Sequence, residues 1–369
     1  MDKILERPLL PILIIILLCG YLFFFRLGGM ALTDPDETFY AQTAKEMLDR
    51  GEWATPYLYG RPQFEKPVFF YWLVELSYRI FGVNEFAARF PSAVFALIGV
   101  LAMYLLGSII FNPRTGFLAC LMLATNVEYV ILSRACVTDM VLFTFLLCGA
   151  LFFLCGHLKD KARFYVLSSA AFGFATLTKG PVFLVLPLAV ITIYLAFLKG
   201  FKILKKIPLF WCALAFLAVV APWYLLIYKL HGKEFIDVFF GFHNVTRFME
   251  SEHKIGSQIY YNIPIILGGY FPWSVFLPFG LWHAFKKVQK ATAQLPEVLS
   301  SSLRGRSPKQ SLFYKEIASV APSELPRNDG FSLLFILIWF FVIFIFFTAS
   351  STKLPTYVFP SFLSLAIIT

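Results

Sequence analysis

The chain has 369 residues, of which 59% are hydrophobic, 18% aromatic and 15% charged. Average soluble proteins carry about 25% charged residues, so this composition excludes a soluble multidomain protein, and a mean hydropathy of +0.73 places the chain in a bilayer. The net charge of +10 could indicate either nucleic-acid binding or the positive-inside asymmetry of a membrane protein. Its distribution along the chain decides between the two.

Apolar runs separated by charged residues, Gly or Pro predict about ten transmembrane helices. Their approximate ranges are 8–26, 87–111, 117–132, 140–157, 164–178, 181–199, 209–228, 263–285, 331–349 and 357 onward. If the N-terminus is cytoplasmic, every predicted inner loop is net basic and the outer segments together are close to neutral. The basic surplus is therefore topological, and we expect no nucleic-acid partner.

Three polar stretches are too long to be simple turns. Two lie on the predicted outer side, at 27–86 and 229–262, and the third lies on the inner side, at 286–330. The Ser, Pro and Lys composition of the third stretch predicts a flexible cytoplasmic loop. We therefore interpret residues 1–369 as a single transmembrane domain whose chemistry lies in the extracytoplasmic loops.

The first outer loop contains signals for two helices. Asp34 as N-cap and Gly51 as a left-handed C-cap predict one helix, and its apolar residues fall on one face. That face predicts a helix lying on the membrane surface. A second interfacial helix is predicted from Val68 to Phe81, directly after Pro67.

Acidic residues open this loop and also begin the fourth predicted span. Helix capping explains Asp34 and Glu37 as well as chemistry does, whereas Asp36 is not needed for capping and is a candidate general base. Asp139 lies at the bilayer edge, where a charged side chain is costly unless it is paired or hydrated. We expect it either to pair with Arg134 or to line a cavity.

Basic residues at the predicted outer ends of helices run against the positive-inside bias. They are Lys66, Arg134, Lys179 and Lys353. Each alone could simply extend its charge to the interface, but together they could form an anion pocket suited to a lipid phosphate. Glu65 next to Lys66 is by itself typical of a solvated surface pair, and His243 is typical of a surface residue. If the fold brings Glu65 and His243 together, they could form part of an open metal site.

A dense set of motifs runs through the chain. In the first outer loop and the start of the second span the segments are Asp34 to Glu37, Phe39 to Ala41, Glu46 to Leu48, Gly51 to Trp53, Phe64 to Pro67, Tyr71 to Trp72 and Asn84 to Ser92. Later segments are Thr138 to Met140, Thr178 to Pro181, His243 to Phe248 and Lys353 to Tyr357. These motifs closely resemble those of the bacterial membrane glycosyltransferases related to the lipid A aminoarabinose transferase and the protein O-mannosyltransferases, and the resemblance covers nearly the whole chain.

This resemblance implies a polytopic enzyme of the cytoplasmic membrane that uses a polyprenyl-phosphate-linked sugar as donor and has its active site on the periplasmic side. The acceptor would be a lipid, such as lipid A, or a protein. The implied catalytic residues are Asp36, Glu37, Lys66 and Asp139. The implied donor-phosphate ligands are Lys66, Lys179, Arg247, Lys353 and Tyr357, and the implied ligands of a divalent metal ion (Zn, or Mg or Mn) are Glu65 and His243.

Two departures from the family pattern limit what the resemblance implies. The aminoarabinose transferases commonly have Arg where this chain has Phe39, so the sugar and the acceptor stay open. The family fold usually continues beyond the tenth span, so we expect its C-terminal part to be absent from this chain. The competing class is a lipid or sugar transporter, which would place charges in the middle of its spans and show weakly symmetric repeats.

Overall fold

The computed structural model describes residues 9–198, 204, 206–239, 241, 258, 260–304, 329–351 and 353–369. The α-helices are, in chain order, α1 (Leu9–Cys19), α2 (Asp36–Arg50), α3 (Phe69–Phe81), α4 (Glu85–Ile110), α5 (Pro113–Thr125), α6 (Val127–Ser133), α7 (Asp139–Lys159), α8 (Ala162–Lys179), α9 (Val182–Phe197), α10 (Leu209–Phe235), α11 (Asn262–Gly269), α12 (Leu277–Arg304), α13 (Asp329–Ala349) and α14 (Phe362–Ile368). A π-helix (Gly20–Phe24) continues α1, and 3₁₀-helices span Trp273–Phe276 and Pro355–Ser361. A short antiparallel hairpin joins β1 (Tyr57–Leu58) to β2 (Arg61–Pro62).

The described helices are those of a membrane protein. Four are long and apolar enough to cross a bilayer, namely α4, α7, α10 extended to Phe239, and the Gly330–Ala349 part of α13. Two bent helix pairs, α5 with α6 and α11 with Trp273–Ala293, bring the number to six if each pair is one span. The prediction of an all-α polytopic membrane protein is confirmed. The count of ten spans stays a prediction, since the other apolar helices are shorter or less hydrophobic.

Small residues allow the helices to approach one another closely. A Cβ atom placed on Gly107 of α4 would lie 2.7 Å from the Cα atom of Gly116 in α5. In a bilayer, lipid tails are as apolar as the helices, so association depends on such close backbone packing. The antiparallel pair of α4 and α5 therefore requires glycine at this crossing.

The two bent helix pairs satisfy the polar backbone groups that their bends expose. Asn126, between α5 and α6, accepts a hydrogen bond from the Tyr129 amide and donates to the Leu123 carbonyl. The Val127 amide, freed by the break, donates to the Phe271 carbonyl in the break of the other pair. A hydrocarbon environment offers no water to such groups, so the two breaks lie against each other.

The first outer loop contains both predicted helices, with a different cap on the first. Asp34 is not the N-cap, because its carboxylate accepts a hydrogen bond from the Thr38 hydroxyl rather than from a backbone amide. The Thr33 amide donates to the Glu37 carboxylate, while the Glu37 amide donates to the Thr33 carbonyl. Gly51 ends α2 with a φ of 67°, as the sequence predicts.

The apolar face of α2 packs against protein rather than lying on the membrane. Ala44 and Met47 are fully buried, and the Tyr40 ring contacts Phe70 of α3 edge to face at 5.5 Å between centroids. The Tyr78 hydroxyl of α3 also donates to the Ala41 carbonyl. The amphipathic pattern therefore predicted the helix correctly, but the apolar face of α2 packs against α3.

The other two polar stretches begin as helix. α12 continues through Arg304, so the prediction of a flexible loop is wrong for residues 286–304, and residues 305–328 lie outside the described part. α10 runs to Phe235 across a kink at Gly232, which shortens the second outer loop from its predicted start at 229. Most of the remainder of that loop also lies outside the described residues.

Candidate active site

Glu37 and Arg89 form a buried junction that fixes the start of the first outer loop. The Arg89 guanidinium donates to both Glu37 carboxylate oxygens, at 2.8 and 2.7 Å, and to the carbonyls of Leu27, Met30 and Ala31. The Thr33 and Cys136 amides complete the contacts of the carboxylate. Burial works to raise the pKa of Glu37, but these hydrogen bonds outweigh it and hold the pKa below its ordinary value.

A second buried ion pair joins the start of α7 to the end of α8. The Lys179 ammonium donates to Asp139 Oδ1 at 2.6 Å, and both side chains are 9% exposed. Asp139 lies at a helix N-terminus and Lys179 at a helix C-terminus, where the helix dipoles stabilise their charges. Gly180 ends α8 with a φ of 125°, a value that favours glycine.

The chain between α13 and α14 supplies the wall beside this pair. The Lys179 ammonium lies 5.6 Å from the centroid of the Tyr357 ring, within the range of a cation–π contact. Lys353, four residues earlier in the same segment, is only 5% exposed. The structure therefore brings Asp139, Lys179 and Tyr357 together. Lys353 is buried in the same segment of the chain as Tyr357.

Tyr40 connects this cluster to the acidic and basic residues of the first outer loop. Burial raises the pKa of Tyr40 well above its ordinary value, and Tyr71 and the carboxylates of Asp139 and Glu65 raise it further. The centroid of the Tyr40 ring lies 6.0 Å from that of the Tyr71 ring, whose hydroxyl accepts a hydrogen bond from Gln63, two residues before Glu65. The carboxylates of the first-loop pair and of the α7–α8 pair therefore both act on the pKa of the same buried tyrosine.

Glu65 and Lys66 form a pair in the first outer loop. The Lys66 ammonium lies 3.4 Å from Glu65 Oε1, and the lysine side chain is only 15% exposed. The Gln63 side chain holds the backbone here. Its Oε1 atom accepts a hydrogen bond from the Glu65 backbone amide, and its Nε2 atom donates one to the Tyr71 hydroxyl. Glu65 and Lys66 therefore lie beside each other in a segment that Gln63 ties to α3.

Asp36 stands apart from these pairs. It is the first residue of α2 and is exposed, one helical turn before Tyr40 on the same face. The adjacent Glu37 junction fixes the backbone that carries it. The Asp36 carboxylate is thus exposed, whereas the Lys66, Lys179 and Lys353 side chains are largely buried.

Arg134 does not belong to this group. Its guanidinium donates to the carbonyls of Leu22 and Phe25 at 2.9 Å, and thus satisfies the end of the first helical segment. The expected alternative of a salt bridge between Asp139 and Arg134 is wrong, because Asp139 pairs with Lys179.

Two predicted site residues lie outside the described part of the chain, namely His243 and Arg247. Among the described residues, no group of three or more His, Cys, Asp or Glu side chains converges to hold a metal ion. Glu65 has the Lys66 ammonium beside it, so the described residues do not fit a metal centre on their own. The metal stays a prediction that depends on His243.

Two residues of interest were not singled out from the sequence. Tyr40 was interpreted only as part of an apolar face, and no local signal predicts the contact of its ring with Tyr71. Glu128 in α6 is buried, and neither carboxylate oxygen has a hydrogen-bond partner. An ionisable residue inside the apolar run 117–132 is a signal that could have identified it.

Comparisons with known proteins show what the chain is similar to. Residues 65–226 match the family described as dolichyl-phosphate-mannose-protein mannosyltransferase. An uncharacterized protein of Aquifex aeolicus is 31% identical over 98% of this chain and 62% of its own length. The undecaprenyl phosphate-alpha-4-amino-4-deoxy-L-arabinose arabinosyl transferase of Yersinia enterocolitica is 30% identical over 93% of this chain and 55% of its own length.

Solved structures give the same relationship at the level of the fold. The apo crystal structure of ArnT from Cupriavidus metallidurans superposes with a TM-score of 0.76 at 25% identity, covering 96% of this chain and 58% of that one. The structure of the same enzyme bound to undecaprenyl phosphate gives a TM-score of 0.79 at 24% identity, with the same coverage of both chains. The oligosaccharyltransferase of Archaeoglobus fulgidus in the apo form shares the fold at a TM-score of 0.55 and 17% identity, covering 98% of this chain and 49% of that one.

The chain spans between one half and two thirds of the length of the curated relatives it matches. The matched family, the relative from Yersinia enterocolitica and the ArnT structures are all glycosyltransferases by name or share the fold of one. The chain is therefore similar over residues 65–226 to the dolichyl-phosphate-mannose-protein mannosyltransferase family, and over nearly its whole length to the aminoarabinose transferases.

Proposed function

We propose that this chain forms the membrane domain of a glycosyltransferase that moves a sugar from a polyprenyl-phosphate donor to a lipid acceptor, such as lipid A, or to a protein. The observation that carries the proposal is the buried Asp139–Lys179 pair beside the Tyr357 ring. Buried cations at helix ends suit a lipid-linked phosphate, because charge-assisted hydrogen bonds are strong where water is excluded.

The leaving group is the part of the reaction that these lysines serve. When the acceptor oxygen attacks the anomeric carbon, the carbon–oxygen bond to the phosphate breaks and negative charge develops on the departing polyprenyl phosphate. Lys66 and Lys179 neutralise this charge, together with Lys353. An ammonium has three donors, so Lys179 keeps its bond to Asp139 and still has two for the phosphate.

The acceptor meets the rim, where Asp36 takes the proton of an attacking hydroxyl or orients the acceptor. The four hydrogen bonds to the Glu37 carboxylate favour an anchoring role for this residue over the catalytic role suggested by the sequence, because both of its oxygens are already occupied. Glu37 would then act by holding the backbone of Asp36 in place.

The orientation in the membrane follows from charge. The predicted inner loops are net basic, which supports a cytoplasmic N-terminus, about ten spans and a site at the outer face of the cytoplasmic membrane. The C-terminal end of α8, which carries Lys179, would then face the periplasm. The C-terminal end of α13, which precedes Lys353, would face it too.

Transfer of labelled sugar from a polyprenyl-phosphate donor in membranes tests the proposal. We expect Asp36→Asn and Lys66→Ala each to lower the transfer rate about 100-fold or more. Asp49→Asn is the matched control, because Asp49 is an exposed acid on the same helix as Asp36. Unchanged rates in both site variants would contradict the assignment.

The same membranes separate an enzyme from a transporter. Movement of the intact lipid-linked sugar across proteoliposomes, with no transfer to any acceptor, would favour a transporter. Transfer that needs Asp36 and Lys66, without net translocation, would support the glycosyltransferase.

A further inference from the structure

The hairpin of the first outer loop displays an aromatic residue in an unusual backbone conformation. Tyr59 and Gly60 connect β1 to β2, and both have positive φ values, of 51° and 78°. Positive φ at both central residues is the pattern of a type I′ turn, in which Asn, Asp and Gly are preferred. A bulky residue is strained there, because its Cβ atom crowds the following carbonyl.

Glu46 of α2 holds this strained turn in place. Its two carboxylate oxygens accept hydrogen bonds from the Tyr59 and Gly60 amides, at 2.8 and 2.9 Å. The Gln42 side chain donates to the same carboxylate at 2.9 Å. The turn is therefore fixed on α2 by two hydrogen bonds, and a third, within α2, holds the Glu46 carboxylate.

The Tyr59 side chain is not used for packing. It is 81% exposed, so the strain is not offset by burial of the ring. A strained conformation that the surrounding contacts enforce, at an exposed loop tip, indicates a functional requirement. The turn therefore presents an aromatic ring at a fixed position.

The ring borders a cavity of about 370 Å³ between α2 and the turn that joins α3 to α4. Thr38, Gln42 and Lys45 line it from one face of α2, as expected from their helical spacing. Tyr78 and Glu85 line it from the other side. The lining thus combines aromatic rings with an ammonium, an amide and a carboxylate, the mixture that binds a ring carrying hydroxyl and anionic groups.

The same cavity opens beside an apolar surface. Val83 both lines the cavity and is 50% exposed, and the preceding turns of α3 expose Leu76, Ile80 and Phe81. Such a surface on a membrane protein faces lipid or the interface. The cavity is therefore accessible to a polar headgroup whose acyl chains stay in the bilayer, and this favours a lipid over a peptide.

We propose that this cavity binds the phosphorylated saccharide headgroup of a membrane-embedded glycolipid acceptor, with a sugar ring against Tyr59 and a phosphate at Lys45. The proposal deepens the proposed function and rests on it for the identity of the ligand as acceptor. α2 carries Thr38 at the cavity and, two residues later, Tyr40, whose ring contacts Tyr71 of α3. Asp36 lies two residues before Thr38, roughly 3 Å along the helix axis.

Binding of diphosphoryl lipid A to the purified full chain in nanodiscs tests the proposal without requiring catalysis. We expect Tyr59→Ala and Lys45→Ala each to weaken binding about tenfold, and Tyr59→Trp to retain it. Tyr21→Ala and Lys229→Ala are matched controls at exposed positions away from the cavity and should bind as the wild type does. Phosphatidylglycerol, which has a phosphate and no sugar ring, should show no dependence on Tyr59.

Tyr59→Asn separates a binding role from a structural one. Asn fits the turn better, so the melting temperature should rise by about 2 °C, while affinity for lipid A falls. A structural role for the ring would instead lower the melting temperature. Wild-type affinity in both Tyr59→Ala and Lys45→Ala, or binding of an acceptor peptide in place of lipid A with the same dependence on Tyr59, would overturn the proposal. Failure of the wild type to transfer sugar contradicts the proposed function alone, since the affinities are measured without transfer.

Discussion

The carboxylate of Asp139 and the ammonium of Lys179 lie 2.6 Å apart, each only 9% exposed. Their helices, α7 and α8, are consecutive and antiparallel, so the first residue of one helix meets the last residue of the next. This places the pair at one end of the bundle, where the Tyr357 ring covers the ammonium. A buried ion pair contributes little net stability, since desolvation offsets the attraction, so its presence at a helix end favours a role in binding.

Breaking this pair should separate stability from function. Asp139→Asn leaves the Lys179 ammonium buried without its carboxylate and should lower the free energy of unfolding by about 3–5 kcal/mol. The double variant Asp139→Asn with Lys179→Met should recover most of that loss, because no unpaired charge remains, yet it should not recover sugar transfer. Thermal unfolding and transfer rates measure the two effects. A double variant that transfers sugar at the wild-type rate would exclude both residues from the site.

The lowered pKa of Glu37 predicts how the stability of the fold depends on pH. Its folded pKa lies below its ordinary value of 4.5, since its hydrogen bonds, chiefly those from Arg89, outweigh the effect of burial. The stabilisation is therefore fully present above the ordinary value and is lost as the pH falls through the folded pKa.

The variant Glu37→Gln tests this pH dependence. It should cost about 3 kcal/mol at pH 7, and its deficit relative to the wild type should shrink as the pH falls below the ordinary value. Chemical unfolding at several pH values measures the difference, with Asp49→Asn as an exposed control. A deficit that is constant from neutral to acidic pH would show that the carboxylate charge is not the source.

The sequence predicts the helices well and the contacts between them poorly, for a physical reason. Long apolar runs are local signals, because every residue of a membrane span must suit the same hydrocarbon environment. The bounds of α4 and α7 agree with the predicted spans to within a few residues. The Glu37–Arg89 junction joins residues 52 positions apart, and the Asp139–Lys179 pair joins residues 40 positions apart. Only the packing of helices brings such residues together.

The same reasoning explains the errors in the first outer loop. Capping propensity favoured Asp34 as N-cap of α2, but the buried Arg89 draws Glu37 inward, and Thr33 takes the capping interactions. The acidic motif was therefore correctly identified as important, while the roles within it depend on a guanidinium from α4. A tertiary contact thus overrode the local preference.

Arg134 provides a test of a predicted cation that the structure assigns to the scaffold. Its guanidinium donates to carbonyls at the end of the first helical segment, and a lysine cannot reproduce this fork. Arg134→Lys should therefore lower the free energy of unfolding by about 1.5–3 kcal/mol and leave the affinity for a polyprenyl phosphate unchanged. Arg61→Lys, at an exposed position, is the control for the substitution itself. A large loss of lipid affinity at wild-type stability would return Arg134 to the site.

Glu128 and Gly269 should be energetically coupled. Both Glu128 carboxylate oxygens are buried without a hydrogen-bond partner, and Oε2 occupies the space that a Cβ atom on Gly269 would need. Replacing an unsatisfied polar group by an apolar one of similar size removes a desolvation cost, so Glu128→Leu should stabilise the fold by about 1–3 kcal/mol.

A double-mutant cycle measures the coupling. Gly269→Ala should destabilise the wild type by about 1–3 kcal/mol through overpacking. The same change should cost much less in a Glu128→Ala background, because the carboxylate oxygen that blocks the added methyl group is gone. Unfolding free energies of the four proteins give the interaction energy. Additive effects would mean that the carboxylate does not occupy the position facing Gly269, and that the close approach of α6 and α11 is maintained by other contacts.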